Sequence, residues 1–244
     1  MEELIQFDKQ LLLMVNGSDS VFLDSVIMTL TDAKTWIPLY LGLFYAVCRT
    51  NWMRRTGNQN QQRKIMNIVL VLLAAGLCAL LAGAVDDEIV KPLVARWRPT
   101  HDPEIGALVD TVNGYRGGNY GFFSAHAANT FSIAIFISLL MRQRLLTITL
   151  VTWSLINCYT RLYLGVHYPG DITVGLLWGG LAGFAVYRLY CYALRRLVLY
   201  QNPNATVTAW LPAYYSPRLC DIPIAVFTLT LLFAVSKAYI QAFL

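Results

Sequence analysis

The sequence predicts an all-α fold, a polytopic membrane bundle of about six transmembrane helices with an N-terminal interfacial helix. Two observations carry this expectation. Of the 244 residues, 57% are hydrophobic and 14% charged, a balance whose apolar surface a soluble domain could hardly cover. The apolar residues are also gathered into segments near the roughly 20 residues that a helix needs to cross a bilayer. We read residues 1–244 as a single integral-membrane domain.

Taken in order, residues from about 3 to 15 form an amphipathic stretch with Leu4, Ile5, Leu11, Leu12 and Val15. It is too short to span, which predicts a helix lying in the interface, and Asn16-Gly17 breaks it. The apolar segment at about 21–48 is interrupted by Thr31, Asp32, Lys34 and Pro38, so a kinked or two-part span is expected. Further spans are predicted at about 66–85, at 130–141 extended back to Ser124, and at about 145–159, 172–190 and 222–239, each bounded by charge or by Gly and Pro.

Lys and Arg accumulate in loops kept on the cytoplasmic side. Arg49, Arg54, Arg55, Arg63 and Lys64 follow the first span, Arg142 and Arg144 the third, and Arg188, Arg195, Arg196 and Arg218 surround the end of the fifth. Those loops are read as cytoplasmic, which places Lys91, Arg96, Arg98, Arg116 and Arg161 on the external or periplasmic side. The net charge of +5 is thus explained by topology. No basic run interleaves with aromatics, so no nucleic-acid partner is expected, and no protein partner is predicted either. Cys48, Cys78, Cys158, Cys191 and Cys220 are scattered without a CxxC pair and read as small apolar fillers. The start, MEELIQFDK, is acidic where a cleavable signal would be basic, so no removed signal peptide is expected.

Three segments on the external side carry chemistry: Lys91 to Arg98-Pro99, then Phe123-Ser124-Ala125-His126, then Thr160-Arg161 followed by His167-Tyr168-Pro169-Gly170-Asp171. On a continuing helix Lys91 and Arg98, seven apart, would share one face. With Arg161 they make three cations suited to a phosphoryl group, because a guanidinium fork matches phosphate oxygens two at a time. The chain has only three histidines, and two stand beside these cations. Asp171, four residues after His167, can accept from Nδ1–H and leave Nε2 free as a nucleophile or base. His126 opens a span where backbone N–H groups and the helix dipole favour an anion. Ser124 reads equally as an ordinary N-cap. His167 then attacks phosphorus and His126 protonates the departing oxygen. No metal or other cofactor is expected, since no Asp or Cys/His cluster has ligand spacing. Asp86, Asp87 and Glu88 read as counter-charge for Lys91.

The order Lys-x6-Arg-Pro, Ser-x-His and Arg-x5-His-x3-Asp, from Lys91 to Asp171, closely resembles the three-part signature of the type 2 phosphatidic acid phosphatase superfamily, which includes vanadium haloperoxidases. The resemblance covers the middle third of the chain by motif. It implies that Lys91, Arg98, Ser124, Ala125 (through its backbone N–H) and Arg161 bind phosphate, that His126 is the acid, and that His167 is the nucleophile oriented by Asp171. The family usually has Pro-Ser-Gly-His where this chain reads Phe123-Ser124-Ala125-His126, and Ser-Arg where it reads Thr160-Arg161. Thr keeps the hydroxyl, and Ala125 is harmless where φ is negative.

Residues 100–122, rich in Gly and Tyr, make a candidate lid, and His101 within it is expected to be merely solvated. The expected activity is a lipid phosphate or pyrophosphate phosphohydrolase of a bacterial inner membrane, its site on the periplasmic face and its substrate's chains left in the bilayer. Undecaprenyl pyrophosphate and lipid A rank ahead of phosphatidic acid and phosphatidylglycerol phosphate. The alternatives are a lipid phosphotransferase of the same chemistry, a lipid transporter and an inactive relative.

Overall fold

In the computed structural model, which describes residues 2–53, 61–201 and 215–243, the chain begins with α1, Glu2–Val15. Leu4, Phe7 and Met14 of α1 are exposed at 71%, 60% and 80%. Leu12 faces inward. Gly17, at φ +65°, turns the chain and donates to the Tyr163 carbonyl at 2.9 Å.

The two-part first span is present as α2, Val21–Thr31, a 3₁₀ turn at Ala33–Trp36, and α3, Ile37–Met53. Asp32 makes the break: its carboxylate accepts from the Lys34 N–H at 3.0 Å, and Pro38 follows in the first turn of α3, where a missing N–H costs no helix bond. Trp36 fixes the joint by donating to the Leu30 carbonyl at 2.8 Å, stacking on Phe227 and meeting Trp153 edge-on.

The second span is longer than expected. α4, Gln61–Ala79, continues through two π turns, Leu80–Ala84 and Asp86–Val90, into α5, Lys91–Val94, and ends where Ala95 takes φ 46° and ψ 33°. Then come α6, Ala125–Met141, α7, Arg144–Tyr163, α8, Pro169–Gln201, and α9, Pro217–Phe243. α2 and α3 follow one another along α9, and α6 packs chiefly on α8, with α7 and α4 beside it. The described residues hold helices and no strand, only an isolated bridge between Trp97 and Tyr120.

Three helical stretches, Gln61–Val94, Pro169–Tyr200 and Pro217–Phe243, are long and apolar enough to cross a membrane, and Val21–Thr31 and Ala125–Met141 are shorter apolar helices. The chain is an integral membrane protein. Of the basic residues used to orient it, Arg54 and Arg55 lie outside the described residues. Arg49, Arg63, Lys64, Arg142, Arg144 and Arg195 sit at helix ends remote from the motif residues.

In lipid, helices associate by close packing rather than by hiding apolar surface from water, so small residues mark the tight contacts. Gly175, Gly179 and Gly183 form such a row on α8. A Cβ at Gly175 would stand 2.7 Å from the Ser124 carbonyl oxygen, and at Gly179 or Gly183 it would land on the carbonyl oxygens of Ala128 or Ser132. This row presses the start of α6 against the start of α8, which is where Ser124, His126 and Asp171 reside. Gly179→Ala is expected to force the helices apart at a cost of about 1–3 kcal/mol. A melting temperature in detergent equal to that of the unaltered protein would show that the contact is not made.

Candidate active site

Ser124 ends the approach to α6 as its N-cap. The hydroxyl accepts from the Ala127 N–H at 3.4 Å, and the Ser124 N–H donates to the Asp171 carbonyl at 3.1 Å. The N–H groups of Ala125 and His126 belong to the first turn of α6, at the positive end of the helix dipole. Ala125 is helical and has no positive φ, so alanine in place of glycine stores no strain here.

His167 sits in the turn between α7 and α8 at 1% exposure. Its Nε2 is 3.1 Å from Arg98 Nη1. Its Nδ1 is 3.6 Å from Asp171 Oδ2, longer than a hydrogen bond but on the carboxylate side of the ring. Burial first, then the charges of Arg98, Arg161 and Lys91, push the pKa of His167 well below its ordinary value. The imidazole is thus held neutral, with Nε2 facing the cations. Asp171, with no exposed surface, accepts from the Tyr168 N–H at 3.0 Å through Oδ2 and from Arg96 at 2.7 Å through Oδ1.

Arg161 closes α7 at 2% exposure. Nη1 donates to Thr31 Oγ1 at 2.6 Å and Nη2 to the Tyr115 hydroxyl at 3.0 Å, while the buried Nε has no hydrogen-bond partner among the described residues. Arg98 donates Nε–H to the Tyr120 carbonyl at 3.0 Å and Nη1–H to the Val166 carbonyl at 3.2 Å. Among the described residues neither guanidinium has a carboxylate within ion-pair distance. Burial and then Arg161 lower the pKa of Arg98. Buried cations without counter-ions are costly, and an arriving anion relieves that cost.

One sequence expectation is corrected. Lys91 and Arg98 do not share a helical face, because α5 stops at Val94 and Arg98 is extended, with φ −67° and ψ 152°. The left-handed turn at Ala95 swings the chain, and the N–H of Arg98 then pairs with the Asn119 carbonyl at 2.9 Å. Lys91 contacts Asp86 at 2.8 Å and also pairs with Asp87, in keeping with the counter-charge reading, while its field still reaches His126 and His167. Thr160 spends its hydroxyl on the Asn157 carbonyl at 2.7 Å.

Residues 100–122 fold back over Arg98. Gly121 N–H donates to the Arg96 carbonyl at 2.9 Å, and a Cβ at Gly117, which has φ +70°, would stand 3.2 Å from Arg98 Nη1. His101 Nδ1 meets Thr100 Oγ1 at 3.1 Å. Sequence reasoning gave no role in the site to Thr31, Tyr115, Asp8 or Arg96. Thr31 and Asp8 come from α2 and α1, far away in the chain, and only the Tyr-rich character of the loop pointed toward Tyr115. Arg96 lies inside the first motif, which was the available signal. Among the described residues no group of three His, Cys, Asp or Glu side chains is placed to hold a metal ion.

A buried guanidinium, Arg161, and a half-buried one, Arg98, beside a neutral imidazole at one end of a helical membrane bundle suit an enzyme that works on a phosphate. The chain belongs to the PAP2 superfamily, whose sequence profile matches residues 64–195. It is a phosphatase, a hydrolase of membrane lipid metabolism. It is 40% identical over 188 residues to the lipid A 4′-phosphatase of Bacteroides thetaiotaomicron, a match covering 76% of this chain and 78% of that one. With the lipid A 4′-phosphatase of Porphyromonas gingivalis the identity is 31% over 198 residues, 80% and 78% of the two chains. A decaprenylphosphoryl-5-phosphoribose phosphatase of Mycobacterium tuberculosis is 35% identical over 114 residues, 47% of this chain and 58% of its own length. No solved structure matches the present chain significantly.

Proposed function

We propose that this single-domain protein removes a phosphate from lipid A at the outer face of a bacterial inner membrane, through a phosphohistidine and without a metal ion. Undecaprenyl pyrophosphate is the next substrate in line, ahead of phosphatidic acid and phosphatidylglycerol phosphate. The observation that carries the chemistry is the contact between His167 Nε2 and Arg98 at 3.1 Å, at a site where, among the described residues, Arg98 and Arg161 have no carboxylate within ion-pair distance. The two relatives named for lipid A favour that substrate.

Arg98, Arg161, Lys91, the Ser124 hydroxyl and the Ala125 N–H hold the phosphoryl oxygens. Nε2 of His167 forms a bond to phosphorus as the bond to the lipid oxygen breaks, and His126 gives that oxygen a proton. Asp171 stabilises the positive ring. Water, deprotonated by His126, then releases phosphate and restores both histidines. The cations supply the charge stabilisation that magnesium supplies in kinases.

In this reading the bundle crosses six times, through α2–α3, α4–α5, α6, α7, α8 and α9, with α1 in the outer interface and residues 100–122 as a lid. Basic helix ends remote from the site support that orientation. A cysteine placed in residues 100–122 should react with an impermeant thiol reagent in spheroplasts, whereas labelling only after lysis reverses the topology.

The deciding assay offers each lipid to purified protein in detergent with EDTA. Free phosphate should be released fastest from lipid A, with no acceptor lipid present. Activity lost in EDTA and restored by magnesium sinks the metal-free mechanism, and release that requires an acceptor makes the protein a phosphotransferase.

A further inference from the structure

Arg96 is a cation at this end of the bundle that has no place in the proposed phosphate site. It follows the left-handed Ala95, so its side chain leaves the chain on a different heading from those of α5. Its guanidinium spans two acids, Nη1 at 2.7 Å from Asp171 Oδ1 and Nη2 at 2.7 Å from Asp8 Oδ2. The flat group lies on the Tyr168 ring, 4.1 Å from its centroid. Asp8 is fixed in turn, because its other oxygen accepts from the Gly170 N–H at 2.7 Å. A Cβ at Gly170 would come within 2.8 Å of that carboxylate, so the approach of α1 to the start of α8 depends on glycine there. The result is a chain of contacts from Asp8 of α1 through the charged Arg96 and Asp171 to the neutral His167.

We propose that Arg96 is a positioning residue for catalysis, holding Asp171 in the orientation that His167 needs, and that Asp8 of α1 anchors it from behind. The proposal rests on His167 being the nucleophile. Asp171 already accepts from the Tyr168 N–H, and a second, charged donor fixes the remaining rotation of its carboxylate. Arg96 and Asp171 hold a directional bidentate-capable donor against a buried acceptor, an arrangement that limits movement more than charge alone. The Nδ1–carboxylate separation of 3.6 Å shortens when the ring becomes positive on attack, and a fixed carboxylate is placed to meet it. Outer partners that orient metal ligands are typically worth roughly 10- to 100-fold in activity, and an effect on that scale is expected here.

The test compares Arg96→Ala, Arg96→Lys and Asp8→Asn with Arg98→Ala and His167→Ala, using one lipid phosphate in detergent. Arg96→Ala should lose roughly 10- to 100-fold in kcat with KM little changed, whereas Arg98→Ala should raise KM, because it removes a phosphate contact. Arg96→Lys should recover part of kcat. Arg96 lines a cavity of about 750 Å³ between α1 and the start of α8, so added guanidinium ion at non-denaturing concentration should restore activity to Arg96→Ala and not to Arg98→Ala. Asp8→Asn should also lower kcat and add little to the loss in Arg96→Ala, as members of one network do.

Arg96→Ala at full kcat, or with a raised KM alone, overturns the proposal. Asp8→Asn at full kcat overturns the anchor. If Arg96→Ala fails to fold, Arg96→Lys and Asp8→Asn carry the same comparison. His167→Ala that still turns over refutes the nucleophile itself, an outcome distinct from failure of the Arg96 variants.

Discussion

Changing His167 to Ala is expected to abolish turnover of every phosphate compound, whether the departing group is a lipid alkoxide or a nitrophenolate. A nucleophile is needed for each substrate, but a general acid matters only where the leaving group is poor. His126→Ala should therefore lose roughly 10²- to 10⁴-fold on alkyl lipid phosphates and much less on nitrophenyl phosphate. Acid quenching of the His126 variant during turnover of the activated substrate should trap phosphohistidine, which the His167 variant cannot form. Equal losses for both variants on both substrates would remove the division of labour.

The same His126 variant gives a clean pH experiment. The site lowers the pKa of His167, by burial first and then by the charges of Arg98, Arg161 and Lys91, so its rate on nitrophenyl phosphate should show no fall near the ordinary histidine value of about 6.5. Stability behaves differently. Below that value the unfolded chain takes up a proton that folded His167 refuses, so the stability present at neutral pH should decline as the pH falls.

The second large effect is expected at Arg161. Arg161→Met removes a cation at 2% exposure that has no carboxylate within ion-pair distance among the described residues. Relief of that buried charge offsets the bonds lost by Thr31 and Tyr115, each worth about 1 kcal/mol, so the melting temperature should hold or rise. Activity should go the other way, with kcat/KM lower by roughly 10²- to 10³-fold, the usual effect of deleting one donor to a developing oxyanion. Inorganic phosphate at about 100 times its Kd stabilises a protein by about 2.7 kcal/mol. That shift should appear in melting curves of the unaltered protein and be lost in the variant at the same concentration. A variant with normal kcat/KM and a normal phosphate shift would make Arg161 structural.

Much was legible in the chain because local rules governed it. Bilayer solvent demands long apolar helices, and those segments are visible without any contact information. The break near Thr31 was readable because Asp32 and Pro38 act within a few residues of themselves. The motif residues were readable because rare types stood at fixed offsets, and α8 begins between His167 and Asp171.

What the tertiary structure alone decided is the course of the chain where helices stop and what lies behind the site. Seven residues from Lys91 to Arg98 look like two helical turns, but the outcome hung on one left-handed residue, Ala95, whose conformation is stabilised by pairing with residues 119–121. Arg96 took its meaning from Asp8 and Asp171, 88 and 75 residues distant, and no local pattern encodes such a meeting. Arg161 likewise depends on Thr31, 130 residues away. Sequence spacing specifies which groups one helix face presents. Close packing of α6 on α8 at glycines, and the docking of α1, decided which groups meet, because those distances arise only when separate helices pack.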